Sequence, residues 1–263
     1  MSHYTVGVIL KKDVINKKVE EVVNMFETET NEVVTNEERK VIEYDAIKYF
    51  TEEALLPYSE NLPVKSYVDV TMEELKEEHK KHKNLSLEEY VNEFYGCELT
   101  EKGLISTYNP NSKWDWYVIG GRWAGSLIIK NKPKNIKEIS PYEDDSNSYA
   151  QIKDICFKKI ITEKQRQEYE DNYNKLIETG DFYRPEYYLK KYPNFENYLK
   201  DKITFSTYAL LDSKGEWHEP GQMGWFGCSS ATPEEERNFN DVFLSLIQQE
   251  DEENYFVLVD CHI

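Results

Sequence analysis

The chain has 263 residues, with 50 acids against 32 bases, a formal net charge of −18 and an aromatic fraction of 14%. That length is enough for a sizeable core in one large domain or two small ones, and the aromatic content excludes a disordered chain. The charge excludes direct binding to DNA, RNA or anionic membranes except through a local basic cluster.

The acids are interleaved with lysines in most segments, as on solvated helix faces; concentrated on one surface they would instead mimic nucleic acid and fill a basic groove. Four widely spaced cysteines, Cys97, Cys156, Cys228 and Cys261, include no C-x-x-C pair, so no zinc or redox motif is visible. Reduced thiols and the absence of a long apolar run predict a cytoplasmic protein with no membrane partner. No cofactor is implied.

The apolar run Tyr4–Leu10 predicts a buried strand, and the spacing of Val19, Val22, Val23 and Phe26 a following helix. Residues 27–40 read as an exposed acidic loop, and Thr51–Leu56 as a short helix stopped by Pro57. Thr71 with Glu74 and Ser86 with Glu89 form capping boxes that open two helices, the second ending near Gly96. Leu104–Tyr108 is a strand. Residues 131–150, with Pro133 and Pro141, read as a loop or insertion boundary. Thr162 and Gln165 cap a helix that presents Tyr169, Tyr173, Leu176 and Ile177 and stops at Gly180, and Pro185 and Pro193 each open a short helix. Ile203–Leu211 is predicted to be a strand, Asp212–Gly215 a turn. Thr232-Pro233-Glu234-Glu235 is a capping box whose helix buries Phe239, Val242, Phe243, Leu246 and Ile247. Tyr255–Val259 is a strand covered on both faces. The order implies an α+β fold in one compact domain, with a mixed or antiparallel sheet, a central Trp-rich hairpin and a helical insertion at 131–201.

The most informative stretch is Trp-Asp-Trp-Tyr-Val-Ile-Gly-Gly-Arg-Trp at 114–123, which holds three of the five tryptophans. Its diglycine predicts a two-residue hairpin turn. Ile119 would then face Arg122, and Val118 would face Trp123. One face would carry Trp114, Trp116, Val118, Trp123 and Leu127 as core. The other would carry Asp115, Tyr117, Arg122 and Ser126 as a binding face. There Arg122 would clamp a phosphate or carboxylate, Gly120 and Gly121 would admit a ligand close to the backbone, Tyr117 would stack on a base and Asp115 would accept from a hydroxyl or amine. A buried Asp115–Arg122 pair is the structural alternative.

Asp260 and His262 share a strand face, so both reach one site, either to work as a pair or as bonded core groups. His218, with these two, has the composition of a 2-His-1-carboxylate metal site, although nothing in the spacing requires it. His79 and His82, three apart on a Lys/Glu-rich helix, read as a solvated face, and His3 as an uninformative terminal residue. Gly221–Gly227 forms either a mobile aromatic lid, with Met223, Trp225 and Phe226 offering apolar contact, or a tight buried turn. No hydrolase, Rossmann, kinase or metalloprotease signature appears.

Three blocks, 109–123, Met223-Gly224-Trp225-Phe226-Gly227 and Val259-Asp260-Cys261-His262-Ile263, together resemble the hallmarks of a family of uncharacterised bacterial and phage proteins. The resemblance covers about a tenth of the chain. It implies a phage or prophage origin and a role against host defences, but no particular activity. The expectation is a binding protein that sequesters a small anionic or nucleotide-derived ligand, with Asp115, Tyr117, Gly120, Gly121, Arg122, His218, Trp225, Asp260 and His262 at the site. The alternatives are an acidic inhibitor of a host defence protein, and a nucleotide-acting hydrolase or transferase. A homo-oligomer is compatible with either binding reading.

Overall fold

A computed structural model describes residues 2–130, 148–224 and 227–263. The fold is α+β, as expected, with helices packed on mixed and antiparallel sheets. The chain divides into two compact units rather than one, the first formed by residues 1–54 and 116–263 and the second by 55–115. No described helix is long and apolar enough to cross a membrane.

The larger unit is built on a six-stranded sheet. Its strands are β1 (His3–Leu10), β5 (Trp116–Ile119), β6 (Tyr149–Gln151), β7 (Ala209–Leu211), β8 (Trp217–His218) and β9 (Tyr255–His262), in the order β5-β9-β1-β7-β8 with β6 also paired to β9. β9 is central and buried at every position, which explains its near-continuous apolar sequence. It runs antiparallel to β1 through eight register pairs, from His3 opposite His262 to Leu10 opposite Tyr255, while β7 lies parallel to β1.

Helix α8 (Pro233–Gln249) begins at the capping box on Thr232. It packs Phe239, Phe243 and Ile247 on Ile9, Leu210, Phe256 and Leu258. The stripe is narrower than predicted, since Val242 is exposed. The other face of the sheet carries Tyr4, Val6, Val8, Val257 and Val259, all buried. Helices α1 (Lys12–Thr30) and α2 (Asn36–Leu55) bury Ile15, Val19, Val23, Tyr44 and Ile47, and α2 meets the sheet through the Tyr44–Tyr149 ring contact. The acidic stretch 27–40, expected as a loop, instead belongs largely to these helices and leaves only five residues between them. The short helix predicted at Thr51–Leu56 is the last turn of α2 and continues into a 3₁₀ turn at Leu56–Tyr58.

Glu43 on α2 has its carboxyl pushed up by burial, which outweighs the bond donated by Tyr255 and the nearby Arg39 and Lys40. Tyr255 is itself raised to about 12, first by burial and then by the Glu43 charge. A carboxyl raised in the folded state contributes stability below its unfolded pKa and loses it as pH rises through the folded value. Glu43→Gln should therefore match the parent at pH 4 and equal or exceed it at pH 7. Urea midpoints at the two pH values check this; a deficit that grows with pH contradicts it.

Helices α5 (Glu163–Thr179), α6 (Pro185–Lys191) and α7 (Phe195–Ile203) fall between β6 and β7. Thr162 and Gln165 form the expected capping box, and Pro185 opens α6. Tyr173, Tyr192 and Tyr198 build a small core of their own. The strand predicted at Ile203–Leu211 is shorter, because α7 takes Ile203 and only Ala209–Leu211 form β7. Most of the loop expected at 131–150 lies outside the described residues.

The 55–115 unit folds α3 (Met72–His79) and α4 (Leu87–Tyr95) with a three-stranded sheet of β2 (Lys65–Tyr67), β3 (Glu98–Thr100) and β4 (Gly103–Thr107). Both expected capping boxes form, and the core is Leu75, Tyr90, Val91 and Leu104. Trp114 is buried here and donates its indole N–H to the Leu55 carbonyl at 3.2 Å. His79 bonds the Leu85 carbonyl at 2.7 Å and, like His82, packs near the Tyr90 ring, so this pair is structural rather than a solvated face.

Candidate functional site

The diglycine does not make a hairpin. β5 stops at Ile119, Gly120 sits at φ 73°, ψ −66°, Gly121 at φ 50°, and residues 121–123 form a single 3₁₀ turn. The combination at Gly120 is the γ-turn range, which does not return the chain beside itself as a two-residue hairpin would. β5 finds its partner in β9 instead, with Trp116 opposite His262 and Ile119 opposite Val259. Glycine is required at both positions. A Cβ on Gly120 would lie 2.1 Å from the Ser148 hydroxyl, and one on Gly121 2.5 Å from Asp260.

This pairing inverts the predicted faces. Trp116 and Val118 are the exposed side of β5 and Ile119 is buried; Trp123 and Leu127 do join the core. Tyr117, expected beside Arg122, lies on the opposite face next to Cys261. Its phenol is raised to about 12 by burial and then by the charges of Glu52 and Cys261. Asp115 belongs to the 55–115 unit, where its carbonyl accepts from Asn61 at 3.0 Å. The hairpin pairings that were to align Asp115, Tyr117 and Arg122 on one face therefore do not form.

The turn does meet the C-terminal block. The register aligns Trp116, His262 and His3 across three strands, and Val118, Asp260 and Thr5 one step further on. Asp260 is 2% exposed. Its Oδ1 lies within hydrogen-bond distance of His3 Nδ1, at 2.7 Å. Its Oδ2 accepts the Arg122 backbone N–H at 3.1 Å. The His262 ring stacks on Trp116 with centroids 4.7 Å apart and planes 13° apart. His3 meets both edgewise, at 4.9 and 5.1 Å. Arg122 thus acts through its main chain; its side chain is exposed and lines none of the described cavities.

The cluster orients an imidazole against a buried carboxylate, as in acid–base pairs. The His3 and Asp260 side chains are only 6% and 4% exposed, which leaves little surface for a substrate. Sequence reading missed His3 and assigned Trp116 to the core. The pairing of β1 with β9 decides both, and no local signal announces it.

His218 is not near Asp260 in any described contact. Its Nε2 bonds Asp212 at 2.9 Å. Asp212 also accepts the backbone N–H groups of Lys214 and Glu216. Burial pushes its carboxyl up, but His218 and the two amides outweigh this and hold it below the usual range. Ligand atoms of Asp212, Glu216 and His218 lie within 4.8 Å of one another. With Asp212 already taking three bonds, the group is a clamp on the turn at 212–215. Trp225 and Phe226 lie outside the described residues.

A second feature has the concavity that the cluster lacks. A cleft of about 560 Å³ opens among α6, α7, the start of α8 and residues 220–223 and 227–231, with Tyr208 and Met223 on its wall. Glu236 accepts from Tyr187 at 2.7 Å and from Lys191 at 2.6 Å. Burial, followed by the Glu236 bond, raises the Tyr187 phenol. Asn240 donates to Asp201 at 2.9 Å and accepts from Ser206 at 2.5 Å. The Tyr183 and Tyr187 rings stack 4.2 Å apart, and Tyr183 is half exposed. The cleft adjoins the strand that carries His3, because the Tyr208 N–H donates to Thr5 at 3.0 Å.

No protein-family model, curated protein or solved structure matches the chain.

Proposed function

We propose that the protein binds a small nucleotide-derived molecule in the tyrosine-lined cleft and holds it without turnover. The observation that carries this reading is the cleft itself. Its volume falls within the usual range for small-molecule sites. It combines a stacked tyrosine pair with fixed donors and acceptors on Asp201, Asn240 and Glu236. Tyrosine faces take a base by stacking, and carboxylates and amides take ribose hydroxyls. Lys191 is bound to Glu236, and Asp201 adds a second carboxylate. The lining therefore favours the nucleoside part of a ligand over a polyphosphate, a shift from the anionic ligand that the sequence suggested. In a phage, such a protein would serve as a sponge for a host signal.

Thermal shift against nucleosides, mononucleotides, cyclic dinucleotides, ADP-ribose, NAD and simple sugars tests this. A ligand at about 100 times its Kd stabilises by about 2.7 kcal/mol, or roughly 5–10 °C in a domain of this size. Tyr187→Ala should abolish the shift, and mass spectrometry should recover the ligand unchanged. A flat response across the panel, or a product peak, would overturn the reading.

A further inference from the structure

An apolar groove of about 300 Å³ lies between α1 and α2, lined by Val22, Phe26, Val34, Val41 and Ile42, with Glu38 as its single charged wall. Phe26 and Val41 are 38% and 41% exposed, and Val33 beside them is 83% exposed. Residues that only fill a core would not present this much ring and branched carbon to water in a row. The surrounding sequence is strongly acidic: residues 20–40 carry seven carboxylates against two cations, Arg39 and Lys40. Arg39 is already paired with Glu20. Glu21, Glu29, Glu32 and Glu37 are exposed around the apolar floor.

We infer that this groove is a docking site for a basic amphipathic helix of another protein. An apolar floor with an acidic rim is complementary to a helix that has apolar residues at i and i+4 and Lys or Arg on its flanks. The charge selects this occupant over two others. A second copy would bring the same acidic rim and a net charge of −18 to the interface, and an anionic membrane would be repelled in the same way. The site is separate from the tyrosine-lined cleft and shares no lining residue with it.

Panning the full chain against a random 16-residue peptide library tests the inference. Enriched peptides should carry a Leu/Phe i, i+4 pattern with flanking Lys or Arg. Fluorescence anisotropy should give a Kd that weakens at least tenfold with Val41→Asp and severalfold with the double exchange Glu32→Lys, Glu37→Lys. It should also weaken between 50 and 300 mM salt. Both substitutions are on the surface, and an unchanged circular dichroism spectrum and Tm certify the fold. Neutral or acidic consensus peptides, no enrichment, or binding indifferent to both variants would overturn the proposal. So would a parent dimer in sedimentation that Val41→Asp dissociates, or binding to phosphatidylserine vesicles that it abolishes.

Discussion

Replacing Gly121 by alanine should destabilise the larger unit by about 2–4 kcal/mol, combining roughly 1 kcal/mol for a side chain at positive φ with 1–3 kcal/mol for overpacking. The added Cβ would lie 2.5 Å from both the Cβ and Oδ2 of Asp260. Neither can yield easily, because the carboxylate is fixed by His3 and by the Arg122 amide. At about 2–4 °C per kcal/mol for a domain of this size, the melting temperature should fall by roughly 4–16 °C. Gly125→Ala is the matched control. Gly125 also has positive φ, at 77°, but faces open space, so only the backbone term of about 1 kcal/mol remains. Differential scanning fluorimetry on both variants separates strain from collision. Equal losses would mean that the diglycine is conserving backbone freedom alone and that its grip on Asp260 contributes nothing.

What was legible in the sequence divides by range. Capping boxes at Thr71, Ser86, Thr162 and Thr232 were readable because their chemistry is closed within four residues. β9 was readable because its stretch Tyr255–Val259, buried on both faces, is an almost unbroken apolar run. Helix α2 escaped notice for the opposite reason: it buries Tyr44, Ile47 and Thr51 while exposing Val41 and Tyr49, so no clean stripe marks it. The diglycine was correctly singled out and wrongly folded. Local turn propensity favoured a hairpin, but β9 offered β5 a buried partner, and that pairing set the register. Asp260 and His262 could be placed on one face from parity alone. Their neighbours His3 and Trp116 could not, since they arrive from the start and the middle of the chain. The cleft was illegible for a related reason: its walls come from the insertion, from α8 and from residues 220–223 and 227–231, and none of its polar residues stands in a recognisable motif.

Substitutions at Asp260 should reveal whether the cluster is architectural or chemical. Asp260→Ala removes the bonding partner of both His3 and the Arg122 amide at a position that is 2% exposed, and each buried polar group left unsatisfied costs about 1–3 kcal/mol. Asp260→Asn should be far milder, about 1 kcal/mol, since the amide oxygen can still accept from Arg122 and a neutral imidazole can change tautomer to accept from the amide nitrogen. His3→Ala should cost roughly 2 kcal/mol, and the His3/Asp260 double mutant should show a coupling of about 1–3 kcal/mol, as for residues in one bonded network. Urea unfolding of the parent and the four variants gives all these values. If the cluster is the bolt that joins β1, β9 and the diglycine turn, Asp260→Asn should bind the cleft ligand with unchanged Kd, because neither Asp260 nor its partners His3 and Arg122 line the cleft. A Kd weakened tenfold or more in a variant that keeps its stability would instead make the Asp260 charge part of the binding machinery. The tyrosine-lined cleft and the Trp-Gly-Gly turn would then be two halves of one site.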